Sequence, residues 1–344
     1  MNEFKFINDA ATLEDALSQP YPEDIEVAGR LGGDVLVLGA AGKMGPTLVH
    51  RVRKALSSAG SKSRVYAVSR FTDAEQKELL DSAGVKTVVA DLLDEEALKS
   101  LPDCPYVIYM AGRKFGSSSR EDLTWAMNAY LPGRVADRFK SSRIVAFSTG
   151  NVYPLAPVSS SGSKESDPPS PIGEYSQSCL GRERILEYFS REHSIPMCIL
   201  RLNYAVEARY GVLVDIAERI WTGQPVSVTT GYFNVIWQGD ANSVCLRAFD
   251  ICKSPPEILN LTGPGKLSVR QLAEEFGRRF ERPAVLEGTE EPTAFLSNPE
   301  RCLQLFGPPR VSLDQVLDLV THWIQIGGPT LNKPTKFEVR DGKF

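Results

Sequence analysis

DVLVLGAAGKMGPTL, residues 34–48, is the stretch whose reading decides the fold. Val35, Leu36, Val37 and Leu38 form an apolar run of strand length. Gly39, Gly42 and Gly45 follow at regular spacing, and Leu48, Val49, Val52 and Leu56 then recur on one helical face. A buried strand, a glycine turn and a helix in that order make a phosphate cradle. Residues without side chains let the backbone approach a pyrophosphate, and the helix N-terminus presents unpaired N–H groups and a positive dipole end. Glycine triplets also serve ordinary turns. The strand before this one and the amphipathic helix after it set it apart. Its spacing is Gly-x-x-Gly-x-x-Gly, not Gly-x-Gly-x-x-Gly.

Outward from this turn, strand and helix patterns alternate. Strands are predicted over 64–70, 85–90, 106–110, 143–148 and 196–202. The helices between them include 75–83, a long amphipathic helix over 123–139, and 175–193. That rhythm implies parallel strands with right-handed crossovers, an α/β doubly wound parallel sheet. The predicted division is a dinucleotide-binding domain over 34–203, to which 239–262 returns, and a smaller mixed C-terminal substrate domain over 204–238 and 263–330. Residues 1–33 read as a helical extension. It can pack on the sheet edge, cover a site or join an oligomer contact. Residues 331–344 read as a polar, loosely held tail. A loop rich in Ser, Pro and Gly spans 154–173, a length usual for functional loops.

A chain of 344 residues with a net charge of −4 and no long basic run argues against nucleic acid as a partner. No apolar stretch approaches membrane-spanning length, and the N-terminus does not read as a secretory signal. Cys104, Cys179, Cys198, Cys245, Cys252 and Cys302 are scattered without a Cys-x-x-Cys pair. This suggests reduced thiols in a cytoplasmic protein and no metal site. His50, His193 and His322 are isolated.

Several separate motifs line up with the glycine turn. Thr149 follows the 143–148 strand, where ligands of open parallel sheets sit. Asn128 lies in the helix after the 106–110 strand, Glu165 and Pro168 in the long loop, and Tyr175 at the next helix start. Taken together, this order resembles the extended short-chain dehydrogenase/reductase family, NAD-dependent epimerase/dehydratase group, from about residue 34 to 327. The resemblance implies an NAD(P)-dependent oxidoreductase or epimerase of carbohydrate hydroxyls. It implies that Gly39, Gly42 and Gly45 cradle the pyrophosphate, with backbone amides from Lys43 and Met44. Asp91 and Leu92 would flank the adenine, Ala111 and Gly112 would line the nicotinamide ribose, and Asn128 would belong to the same cofactor site. Thr149 would bond the substrate oxygen, and Tyr175 would be the acid/base. The family's 123–139 and 175–193 helices often pair across a homodimer.

The sequence departs from the family pattern at three places. Four residues after Tyr175, where the family has Lys, stands Cys179. A cation at i+4 shares the tyrosine's helix face and favours the phenolate. Cys179 supplies no permanent charge. Either the oxidised nicotinamide lowers the Tyr pKa unaided, or Arg113, Lys114 or Arg182 reaches in, or the protein binds dinucleotide without catalysis, as a sensor or scaffold. At the end of the second strand, Ser69-Arg70 replaces the carboxylate that selects NAD, which leans toward NADP. Gly231-Tyr232-Phe233-Asn234 offers no cation for a nucleotide diphosphate. Arg113, Lys114 and Arg209 are therefore candidates to meet a carboxylate or phosphate on a smaller sugar derivative. Arg201 reads as a residue that orders the fold.

Overall fold

Val35–Leu38 (β1), Val65–Ser69 (β2), Lys86–Val89 (β3), Tyr106–Tyr109 (β4), Arg143–Thr149 (β5), Met197–Leu202 (β6) and Glu257–Leu261 (β7) build one sheet in the computed structural model, which describes residues 7–114, 116, 119–331 and 335–343. The strand order is β3-β2-β1-β4-β5-β6-β7, and every neighbouring pair is parallel. The winding direction reverses between β1 and β4, so the crevice beyond their carboxyl ends is the switch point where such sheets bind ligands. The doubly wound sheet read from the sequence is the one observed.

The helices are Ala10–Ser18 (α1), Pro22–Arg30 (α2), Gly45–Ser58 (α3), Ala74–Ser82 (α4), Glu95–Lys99 (α5), Glu121–Trp125 (α6), Leu131–Arg138 (α7), Gly173–His193 (α8), Val212–Trp221 (α9), Gln238–Arg247 (α10), Val269–Phe280 (α11), Glu300–Phe306 (α12) and Leu313–Gln325 (α13). Side chains alternate along β1. Val35 and Val37 join a core with Leu48, Val52 and Leu259, while Leu36 and Leu38 join the opposite one with Leu131, Val135 and Leu186. All of β1 is buried, because helices cover both faces. A further core of α9, α11 and α13, including Ile216, Phe276, Val320 and Trp323, serves the C-terminal part.

The lead-in packs against α3 and α10. Leu13 and Leu17 enter the C-terminal core, and Val27 and Ala28 enter the sheet core. Asp24 and Arg51 form an ion pair at 2.5 Å with both side chains fully enclosed.

Two sequence expectations are corrected. The 123–139 helix is not α-helical throughout: a π-helical turn, Ala126–Tyr130, lies between α6 and α7, with no gap between them. The tail is not loosely held over its described residues. Phe337 is only 3 % exposed and its ring lies 6.0 Å from Phe233. Arg340 donates to the Thr293 carbonyl at 2.7 Å. Gly342 packs so tightly on the start of α8 that a Cβ on Gly173 would lie 2.5 Å from its oxygen. A polar composition describes the run as a whole, but one buried aromatic is enough to anchor it.

Candidate functional site

The glycine turn leaves β1 with Gly39 at φ 90°, a conformation that L side chains rarely adopt. A Cβ there would lie 2.7 Å from the Ala111 nitrogen, so the chain after β4 passes directly against it. Gly45 opens α3, and its Cβ would lie 2.1 Å from the Ala40 oxygen. The turn closes through hydrogen bonds from Gly42 N to Gly39 O and from Gly45 N to Gly42 O, both 3.0 Å. Among the described residues, the Lys43 and Met44 amides find no protein acceptor. An exposed Gly42 and two unpaired amides at a helix start suit the pyrophosphate of a dinucleotide, so the residues present fit that cofactor.

From this turn a cavity of about 290 Å³ runs across the carboxyl ends of β4, β5 and β6. Gly42, Lys43, Met44, Gly112, Arg113, Lys114, Thr149 and Tyr175 all line it. Thr149 is the last residue of β5, and its Oγ1 accepts from Asn151 N at 3.2 Å, so it also caps the short turn that follows. Tyr175 faces the same cavity as Thr149, with Cys179 one helical turn along from it. Burial, then Cys179, hold Tyr175 well above the ordinary tyrosine range, while Arg182 and Thr149 draw it part of the way back. Cys179 is itself 1 % exposed and packs with Val152 and Tyr153, and burial pushes its thiol up. It acts as a neutral filler and supplies no charge to Tyr175.

The cation of the Tyr175 helix that lines the cavity is Arg182, two turns along. Its place follows from Pro132, which lacks the N–H that would bond the Asn128 carbonyl four residues earlier. The helix widens there, with Leu131 N bonding Ala126 O in a π turn. Arg182 Nε donates to the released Asn128 carbonyl at 3.2 Å. Its other nitrogens donate to Phe147 O at 2.7 Å and Asn128 Oδ1 at 3.0 Å. The guanidinium lies beneath Gly112, where a Cβ would come within 2.7 Å of it. Asn128, expected in the cofactor site, sits behind the cavity. Its amide bonds the Arg113 backbone, Ser178 and Arg182, so it braces the wall from behind.

Of the expected substrate cations, Arg113 and Lys114 line the cavity and Arg209 does not. Arg209 pairs with Glu207 at 3.1 Å and with Glu14 of the lead-in at 2.7 Å, and it borders a different cavity between α9 and the tail. Lys114 Nζ donates to the Thr335 carbonyl at 3.4 Å and lies 5.9 Å from the Tyr175 ring. Ser69 ends β2 and Arg70 is exposed just beyond it. Asp91 is exposed at the end of β3 and accepts from Leu93 N, while Leu92 is mostly buried in the core. Arg201 forms a buried pair with Glu183 at 2.6 Å and bonds Tyr153 Oη, as expected of a residue that orders the fold.

Sequence reasoning passed over the Lys43 side chain, noting only its amide. Its Nζ lies 3.1 Å from the Ala205 oxygen and 3.5 Å from the centre of the Tyr210 ring. A lysine inside a glycine turn was the available signal.

The parallel sheet, the cradle at its switch point and the residues beside it define the class of NAD(P)-dependent epimerases and dehydrogenases. Residues 35–231 match the model of the NAD dependent epimerase/dehydratase family, and the chain belongs to that family. Among solved structures it resembles Pal from Bacillus thuringiensis, at 17% identity and TM-score 0.71 over 85% of this chain and 99% of that one. It resembles the UDP-glucuronic acid 4-epimerase of Bacillus cereus in complex with NAD at 17% identity and TM-score 0.70, over 85% and 98%. The UDP-glucose 4-epimerase of Thermotoga maritima, with UDP-glucose, gives 19% and 0.70 over 85% and 98%. At these identities the likeness is one of fold. No curated protein sequence matches the chain.

Proposed function

We propose that the protein is an NAD(P)-dependent oxidoreductase or epimerase acting on a hydroxyl of a sugar or sugar acid. Tyr175 moves the hydroxyl proton and Thr149 holds the substrate oxygen. The observation that carries this reading is that Tyr175 and Thr149 line one cavity with the glycine turn. When bound, the nicotinamide supplies the hydride acceptor and a positive ring that favours the phenolate. The chain's own residues do the rest. Gly39, Gly42 and Gly45 admit the pyrophosphate to the Lys43 and Met44 amides, and Ala111 and Gly112 keep bulk away from the ribose. Arg182, braced by Asn128, lends Tyr175 part of the charge that a lysine at position 179 would give. Asp91 and Leu92 are assigned to the adenine side.

The test is turnover of a panel of neutral and acidic sugars with each cofactor, read as nicotinamide absorbance at equilibrium and as epimer formation. Accumulating reduced cofactor marks a dehydrogenase, and epimer without net reduction marks an epimerase. Cofactor binding without turnover across the panel overturns the catalytic reading. It would favour the second one, a dinucleotide-binding sensor or scaffold, which the buried neutral Cys179 beside Tyr175 supports.

Ser69 and Arg70 favour NADP. Arg70→Asp is expected to weaken NADP binding by about tenfold, by removing a charge-assisted bond to the 2′-phosphate, and to improve NAD binding. Fluorescence titration of both nucleotides checks this, and an unchanged ratio rules out the assignment. A homodimer through α6–α8 is part of the same reading, supported by Tyr130 and Tyr188 standing exposed on these helices.

A further inference from the structure

All but one of the residues that line the Thr149–Tyr175 cavity lie between 42 and 212, inside the span that matches the family. The exception is Thr335, from the tail. It is 3 % exposed, and Lys114 Nζ donates to its carbonyl at 3.4 Å. Asp215, in the first turn of α9, holds it in place. One carboxylate oxygen accepts from Thr335 N at 3.0 Å and from the Thr335 hydroxyl. Phe337 N donates to that same hydroxyl oxygen at 3.3 Å.

The rest of the tail is fastened at several points. Phe337 is buried in the C-terminal core, and Thr230 Oγ1 donates to the Glu338 carbonyl at 3.3 Å. Arg340 donates to the Thr293 carbonyl and hydroxyl, each at 2.7 Å. Gly342 sits against the Ile172 carbonyl and Gly173, with no room for a Cβ on either glycine. Gly173 opens α8, two residues ahead of Tyr175. The described tail therefore runs from the cavity wall to the start of the helix that carries Tyr175. Its next residues, Lys336, Phe337, Glu338 and Val339, line a different hollow of about 790 Å³, together with Asp215 and Tyr210. Tyr210 lines both spaces, so they are neighbours, and the step from Thr335 to Lys336 passes from one to the other.

We propose that residues 335–343 form a strap that closes the active-site cavity and parts it from the outer hollow, with Asp215 as the positioning residue that keeps Thr335 in the wall. Closing such a site expels water and strengthens every electrostatic interaction inside it. The strap rests on the reading above for its occupant, a nicotinamide beside Thr149 and Tyr175, and it is tested without turnover.

The experiment is acrylamide quenching of the fluorescence of NADPH, or NADH, bound to the full chain. In the unaltered protein the bimolecular quenching constant is expected to be at least about fivefold below that of free nucleotide. Asp215→Ala removes the acceptor of both Thr335 bonds. It should raise the constant at least about threefold, while nucleotide affinity stays within a factor of about two. Asp215→Asn keeps an oxygen for the Thr335 N–H and should restore most of the shielding. Glu218→Ala, one turn along α9 and lining the same outer hollow, should leave the constant unchanged, whereas a general loosening of α9 would move both. If Asp215→Ala does not fold, Thr335→Val takes its place, losing the hydroxyl bond alone and raising the constant about twofold.

The strap is overturned if bound nucleotide is quenched as freely as free nucleotide. It is equally overturned if the folded Asp215 or Thr335 variant leaves the constant unchanged, or if Glu218→Ala raises it as much. If neither nucleotide binds, the dinucleotide reading falls and the strap falls with it. Shielding that depends on Asp215 without turnover of any sugar leaves the strap standing and removes the catalytic reading. Turnover with quenching indifferent to Asp215 does the reverse.

Discussion

Tyr175→Phe is expected to lower kcat by about 10²- to 10⁴-fold, the range of a lost general acid/base, while dinucleotide affinity stays within a factor of about two. The substitution removes one hydroxyl and leaves the ring, 5.9 Å from Lys114 Nζ, in place. Thr149 keeps its bond from Asn151 N, and Arg182 keeps its three carbonyl and amide partners. The pH profile provides an independent check. Burial first, and Cys179 next, hold Tyr175 above its ordinary range. A base works only when deprotonated, so kcat/KM for the oxidative direction, which reports the free enzyme, should still be rising at about pH 9. If Lys114 were the base, burial having lowered it to about 8, the profile would level off near that pH. A variant that retains wild-type turnover removes Tyr175 from the acid/base role.

The largest effect on stability is expected from Asp24→Ala. Asp24 accepts from Arg51 Nη1 and Ser243 Oγ, each at 2.5 Å, and from Tyr21 N at 2.9 Å. Arg51 lies fully enclosed on α3, with the Tyr21 ring 4.5 Å away. Removing the carboxylate strands a buried guanidinium, at a cost of about 3–5 kcal/mol. For a chain of this size that corresponds to a fall in Tm of roughly 6–15 °C by calorimetry. Arg51→Met alone should be similarly harmful. The double variant Asp24→Ala/Arg51→Met should recover a good part of the loss, because an unpaired charge costs more than an absent pair. A fall of less than about 1 kcal/mol for Asp24→Ala would mean that water reaches Arg51 and that the lead-in is not clamped to α3 as described.

Much of this architecture was legible locally. The Val35–Leu38 run, the glycine spacing and the Leu48–Leu56 face each encode burial within a single element, and all three recur where expected. Thr149 and Tyr175 were legible because a parallel sheet places strand ends and the following helix starts at one edge. Other features depended on partners far away in the chain. Arg209 looked like a free cation until Glu14, nearly two hundred residues earlier, was seen to pair with it. The π turn at Ala126–Tyr130 has its cause in Pro132, yet its consequence, a released carbonyl taken by Arg182, joins two helices.

The sequence by itself determined the order of strands and helices, the cradle and the residues that meet at the switch point, because hydrophobic period and glycine geometry act over a few neighbouring residues. Only the tertiary structure decided which charges face the cavity. It turned Lys43 across to Tyr210, withdrew Arg209 to Glu207 and Glu14, set Arg182 under Gly112, and drew Phe337 into the core so that Thr335 reaches the cavity rim. A buried charge takes its place from every dipole and partner around it, and folding brings those together from distant parts of the chain.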